Sequence, residues 1–183
     1  TVPPEFGAIP VLVAGMGAAM LDVAARTADG WISHELCSPQ IVRSAAARIG
    51  GPRGAAPGDV ASICVAIDED PARAHRALAG QVAFYATVSS YADYFTSNGF
   101  GDAQAEIVAA FRAGVGASEL AHLVPDEMAA AFGVAGTVED LRDRIGSYAG
   151  LVDSVKLSVP THGRAASAIR SSQDTLIAAF AEI

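Results

Sequence analysis

Short apolar runs alternate along the chain with stretches of helical spacing, and glycine or proline marks most of the boundaries. The first run, Ile9-Pro10-Val11-Leu12-Val13-Ala14, is continuous and apolar, as a strand buried on both faces requires. Gly15-Met16-Gly17 breaks it. Met20, Leu21, Ala24 and Ala28 then recur at helical spacing, which predicts a helix from Ala18 to Ala28. Asp29-Gly30 ends that helix, and Trp31-Ile32-Ser33-His34 is predicted as a second strand. Right-handed crossover makes the two strands parallel neighbours. In such units ligands gather at the carboxyl ends of strands, where amides at a helix start face outward. Two stretches are therefore candidates for binding: the Gly15-Met16-Gly17 turn and the Ser33-His34-Glu35 strand end.

The alternation continues. Ser38 is placed as an N-cap with Pro39 at the first helical position, and the helix runs to about Ile49 before Gly50-Gly51-Pro52. Arg53 to Gly58 is a predicted loop. Asp59 to Ile67 is a third strand, apolar on both faces and so central in a parallel sheet. After Asp68-Glu69-Asp70, a long helix is predicted from Pro71 to about Thr96, carrying Phe84, Tyr85, Tyr91, Tyr94 and Phe95. Helical pieces follow over Asp102–Ala113 and Ala117–Leu123, and from Pro125-Asp126-Glu127 to Phe132-Gly133. Thr137-Val138-Glu139-Asp140 resembles a capping box and starts a helix ending by Gly150. Asp153 to Val159 is a fourth strand, Pro160 to Gly163 its loop, and Ser172 to Phe180 a terminal helix. Four parallel strands with covering helices make an α/β fold, either half of a TIM-type (β/α)8 barrel or a small doubly wound sheet. No linker interrupts residues 1–183, so a single domain is expected.

Composition narrows the function classes. The 183 residues are 51% hydrophobic and 17% charged, enough for a real core. No apolar run approaches the roughly 18 residues of a membrane span. Thr1-Val2-Pro3-Pro4 lacks the basic start and apolar middle of a signal peptide, which makes a cytoplasmic location the expectation. A net charge of −8 without a basic stripe argues against nucleic acid. Cys37 and Cys64 show neither metal-ligand nor disulfide spacing, and no His/Cys/acid cluster suggests a metal. Cys64 belongs to a strand core, whereas Cys37 follows a strand end and is either core or site lining.

The candidate groups each carry two readings. The Gly15-Met16-Gly17 turn is a phosphate cradle or merely a tight strand-to-helix turn. It also matches part of a dinucleotide fingerprint, with Glu35 twenty residues beyond Gly15, although Met20 occupies the third glycine position. His34 is a phosphate donor or acid–base group, or a half-buried histidine bonded to backbone. His162 lies in the loop after the fourth strand, where a barrel places ligand contacts, while His75 and His122 are read as surface or packing residues. Asp68, Glu69 and Asp70 form an acid cluster better explained by helix capping. No Ser–His–Asp set can be assigned, and no catalytic residue is identified.

Several stretches together carry a family resemblance. Pro10 to Gly15, Met20-Leu21, Ala24-Ala25 and Ala28-Asp29-Gly30-Trp31 resemble the middle of a bacterial luciferase-like monooxygenase. Among these, the chain is most similar to deazaflavin (coenzyme F-420)-dependent oxidoreductases of actinobacterial type. His34 to Pro39 resembles the family's post-strand loop, and Gln81 to Ala86 its long helix. Asp126 to Met128 and Phe132 to Gly136 resemble the segment before its last barrel helices.

The resemblance implies an eight-stranded barrel with cofactor at the strands' carboxyl ends, and hydride transfer between coenzyme F-420 and a small organic substrate. It assigns the cofactor's phosphate-bearing chain to Gly15, Met16 and Gly17, and to Ser33, His34 and Glu35. It also makes the chain the C-terminal half of a barrel, to be completed by an N-terminal half or by another chain. A homodimer through the predicted Pro71–Thr96 helix is expected on the same grounds. The alternatives are a flavin mononucleotide (FMN) enzyme of the same family, an NAD(P)-dependent dehydrogenase, and a non-catalytic half-barrel dimer.

Overall fold

The structure is a computed structural model that describes residues 9–50 and 58–181. Most of the predicted Arg53–Gly58 loop, and the Thr1–Pro4 start, lie outside the described residues. The elements are β1 (Leu12–Ala14), α1 (Ala18–Thr27), β2 (Gly30–Ile32), α2 (Pro39–Ile49), β3 (Val60–Ile67) and α3 (Pro71–Ala86). They continue as α4 (Ala92–Ser97), α5 (Gly101–Arg112), α6 (Ala117–Leu120), α7 (Asp126–Phe132), β4 (Gly133–Gly136), α8 (Val138–Gly146), β5 (Ser154–Ser158) and α9 (Ala166–Phe180).

The five strands form one parallel sheet, linked β1-β2-β3-β4, with β5 also paired to β3. The four predicted strands are therefore parallel and adjacent in chain order. Cys64 N–H donates to Glu35 O and Asp68 N–H to Gly136 O, and residues of equal parity share an edge. So β4 follows β2 along one edge of β3, and β5 takes the other.

Local chemistry explains most boundaries. Ser38 Oγ accepts from Ile41 N–H at 3.1 Å, and Gly50 closes α2 with a left-handed φ of 98°. Thr137 and Asp140 complete a reciprocal capping box at the start of α8.

Four expectations are corrected. The first strand begins at Leu12: Val11 N–H is taken by the Asp29 carboxylate at 2.8 Å, outside the ladder. The predicted Pro71–Thr96 helix breaks after Ala86, because the Thr87 hydroxyl bonds back to Phe84 O at 2.7 Å and Val88 turns extended. A 3-10 turn over Ser89–Tyr91 then leads into α4. The strand β4 has no apolar periodicity to reveal it. It fits because Gly133 lets backbone come close: a Cβ there would lie 2.4 Å from Leu78 Cδ1 and 2.8 Å from Cys64 O. The last helix starts at Ala166, ahead of Ser172, with Arg164 bonded to Ala168 O and Ser172 Oγ across its first turns.

Helices cover both faces of β3. Ala61, Ile63 and Val65 pack with Leu21, Val42, Leu141 and Tyr148 on one side. Cys64 and Ala66 pack with Leu78, Val82, Phe95, Met128 and Phe132 on the other. Of the aromatic row, Phe95 is buried, Tyr85, Tyr91 and Tyr94 pack against this second cluster, and Phe84 is the exposed member. Among the described residues, no helix is long and apolar enough to cross a membrane.

Candidate functional site

The two candidate stretches leave the sheet side by side. Ala14 pairs with Ile32, Gly15 N–H donates to Ile32 O at 3.4 Å, and the Trp31 indole N–H donates to Gly15 O at 2.8 Å. The two glycines of the turn differ. A Cβ on Gly15 would meet Met20 Cβ at 2.6 Å, so Gly15 is demanded by packing. A Cβ on Gly17 would meet nothing within 4 Å, and its φ of −78° is open to any residue. Gly17 is also the N-cap of α1 without a side-chain cap, and Leu21 is the first residue whose N–H bonds back to it. The amides ahead of Leu21 are thus the outward-facing donors of a helix start. Met16 is half-buried between the two glycines.

At the neighbouring strand end, the three candidates do different things. Ser33 is buried; its hydroxyl accepts from Ser62 N–H at 2.8 Å and donates to His34 O at 2.9 Å. It staples the end of β2 to β3. Glu35 turns toward β5 and α3: Oε1 accepts from Gln81 Nε2 at 3.0 Å and Oε2 from Ser158 Oγ at 2.8 Å. The Gln81 carbonyl oxygen accepts Thr161 N–H and His162 N–H at 3.0 and 3.1 Å, which ties the post-β5 loop to the same carboxylate.

His34 stands among aromatic rings. Its ring lies 4.6 Å from Tyr85 in an edge contact and 5.0 Å from Tyr91. Nδ1 accepts from Leu36 N–H at 3.2 Å, so the neutral ring carries its proton on Nε2, which faces Tyr91 Oη at 3.2 Å. Burial holds His34 below the ordinary histidine range, against the opposing pull of Glu35. Burial, reinforced by Glu35, also pushes the Tyr85 and Tyr91 hydroxyls upward. The row continues outward through Phe84, whose ring stacks on His162 at 4.3 Å.

The remaining candidates fall into place. Asp70 caps α3 through Ala72 N–H, and Asp68 holds Arg73 at 2.7 Å, so the acid cluster is a helix start. Cys37 is buried beside Tyr94 and does not line a site; burial raises its thiol, as it does that of Cys64. His75 lies 3.2 Å from Asp126, away from the strand ends, while His122 and His162 border a cavity of about 1030 Å³ beyond β3 and β5. None of Gly15, Met16, Gly17, Ser33, His34 or Glu35 lines that cavity. Among the described residues there is no cluster able to hold a metal ion. Gln81 and Ser158, which fix Glu35, were not singled out in the sequence; a glutamine inside an otherwise apolar helix face was the available signal.

The sheet order bears on the dinucleotide alternative. β1, β2, β3 and β5 run in chain order without the reversal that marks a dinucleotide-binding crevice, and Glu35 is turned away from the Gly15 turn.

Comparison with known proteins agrees with the geometry. The sequence model of the luciferase-like monooxygenase family matches residues 1–154. No curated protein matches the chain in sequence. Among solved structures, the coenzyme F-420-dependent tetrahydromethanopterin reductase from Methanopyrus kandleri superposes with a TM-score of 0.68 at 24% identity. That match covers 88% of this chain and 48% of the reductase, so the chain spans about half of that enzyme's length. The parallel sheet and its helices are thus of the TIM-barrel-like type, and the chain belongs to the luciferase-like monooxygenase family.

Proposed function

We propose that this chain forms the cofactor-phosphate half of an oxidoreductase that transfers a hydride between coenzyme F-420 and a small organic substrate. The observation that carries the reading is Gly17. Neither its backbone conformation nor any neighbour calls for glycine, yet it opens an uncapped helix start after β1, next to the strand that leads to His34. Close approach by something outside the chain is what such a glycine permits. Family membership and the F-420-dependent structural neighbour point to a deazaflavin or flavin as that group.

In this reading Gly15, Met16 and Gly17 bring the first amides of α1 to the cofactor phosphate, and His34 Nε2–H is a further donor from the adjacent strand end, in exchange for its contact with Tyr91 Oη. Ser33 and Glu35 position His34 and the post-β5 loop through bonds of their own. The deazaflavin supplies the hydride chemistry; the protein binds, orients and excludes water. Ile9 and Val11, 63% and 57% exposed beside β1, are where a second copy or a further barrel half covers the sheet.

Parallel titrations with coenzyme F-420 and FMN, read by cofactor fluorescence, test the assignment. Saturable binding of F-420 with weaker or absent FMN binding is expected. Preference for FMN would replace the cofactor, and binding of neither would contradict the proposal.

A further inference from the structure

The cavity of about 1030 Å³ is lined by none of Gly15, Met16, Gly17, Ser33, His34 or Glu35, and it adjoins their site through His162 of the post-β5 loop. It lies where β3 and β5 end, between α3, α6 and α9. Its wall includes the arginines Arg73, Arg76 and Arg164 and the imidazoles of His122 and His162. Among the described residues, the carboxylates that line it are Asp68 and Glu69.

The internal pairing of these charges leaves a cationic excess. Asp68 is bound by Arg73 through Nη2 at 2.7 Å and Nε at 3.1 Å, so that pair neutralises itself. Arg164 is hydrogen-bonded to uncharged acceptors, Pro160 O at 3.0 Å, Ser172 Oγ at 2.9 Å and Ala168 O at 3.4 Å, and its charge also helps to hold the Asp68 carboxyl below the usual range. It keeps its charge at the wall in a fixed position. Among the described residues, no carboxylate forms an ion pair with Arg76. Arg73 also reaches Asp70 at 3.4 Å, so among the described residues it is Arg76 and Arg164 that leave guanidinium charge at the wall, against Glu69, with the neutral imidazoles of His122 and His162 beside them. This local balance is opposite in sign to the chain's net charge of −8.

We propose that this cavity is a second binding site, for a small-molecule polyanion carrying carboxylate or phosphate groups. Its volume suits a metabolite better than a single inorganic ion. Arg76 and Arg164 would supply charge-assisted hydrogen bonds, and the hydroxyls of Ser171 and Thr175 on α9 would supply neutral ones. Because the acidic chain repels anions at long range, binding depends on the short-range contacts of the cavity wall. The site requires no particular cofactor at the Gly15 turn.

The chain's four histidines report on it directly: His122 and His162 line the cavity, and His34 and His75 do not. The full chain is titrated with inorganic pyrophosphate and, separately, with citrate, and the imidazole resonances are followed by NMR. Saturable shifts at His122 and His162, with His34 and His75 unmoved, are expected. The probe that saturates at lower concentration identifies phosphate or carboxylate as the preferred group. Arg76→Ala should weaken the better probe by about tenfold, the scale of one charge-assisted hydrogen bond, while Arg76→Lys retains most of the affinity. Because Arg76 is exposed, the variant's fold is not at stake; Arg164→Ala is the second variant, checked by its melting curve. Absence of saturable shifts at His122 and His162, or equal affinity in a folded Arg76→Ala protein, would overturn the proposal.

Discussion

Gln81 gives its side-chain nitrogen to Glu35 at 3.0 Å while its carbonyl oxygen receives the amides of Thr161 and His162. One buried side chain on α3 thereby joins the end of β2 to the loop after β5. Replacing it with leucine keeps the volume but orphans two backbone amides and one carboxylate oxygen. Gln81→Leu is expected to destabilise the protein by about 2 kcal/mol or more, since each buried unsatisfied group costs about 1–3 kcal/mol. Urea denaturation measures it; a change within about 0.5 kcal/mol would show that the junction is not needed for stability.

The two glycines of the first turn should respond oppositely to alanine. At Gly15 the new Cβ would lie 2.6 Å from Met20 Cβ, so Gly15→Ala should cost about 1–3 kcal/mol through overpacking. At Gly17 the new Cβ meets nothing, and Gly17→Ala should leave stability within about 0.5 kcal/mol of the parent. Thermal melts of the two variants side by side check the contrast.

Acid should act on His34. Its folded pKa lies below the ordinary histidine value because burial opposes the charged ring. The unfolded chain then binds the proton first, so stability rises with pH across the window between the folded value and about 6.5. The contribution is complete above that window and is lost as pH falls through the folded value. A His34→Gln variant should lack this part of the pH dependence, and an NMR titration of the parent should place the His34 midpoint below the ordinary histidine value. A His34 midpoint at or above the ordinary value would contradict it.

Much of this was legible in the chain. The strands around Val13, Trp31, Ile63 and Leu157 announced themselves as apolar runs between turns, and the Ser38-Pro39 and Thr137–Asp140 starts carry their own capping chemistry. What escaped depends on contacts distant in sequence or on local competition. β4 is four small residues whose value lies in how closely Gly133 approaches Cys64 and Leu78. The break after Ala86 follows from a single Thr87 hydroxyl bond inside a pattern that otherwise reads as helix. At the site, adjacency of the Gly15 turn and His34 followed from the crossover rule. The direction of Glu35 did not, because its partners Gln81 and Ser158 lie 46 and 123 residues away.

The phosphate role of the first turn is tested most directly by calorimetry of coenzyme F-420 with wild-type, Gly17→Val and His34→Ala protein. A valine at position 17 fills the open space before the first amides of α1 and blocks close backbone approach. Gly17→Val should bind F-420 about tenfold or more weakly, a loss of about 1.4 kcal/mol or more, with its melting temperature retained. His34→Ala should lose less, since one donor among several is removed. Unchanged F-420 affinity in a folded Gly17→Val protein would contradict the assignment and make the turn purely structural.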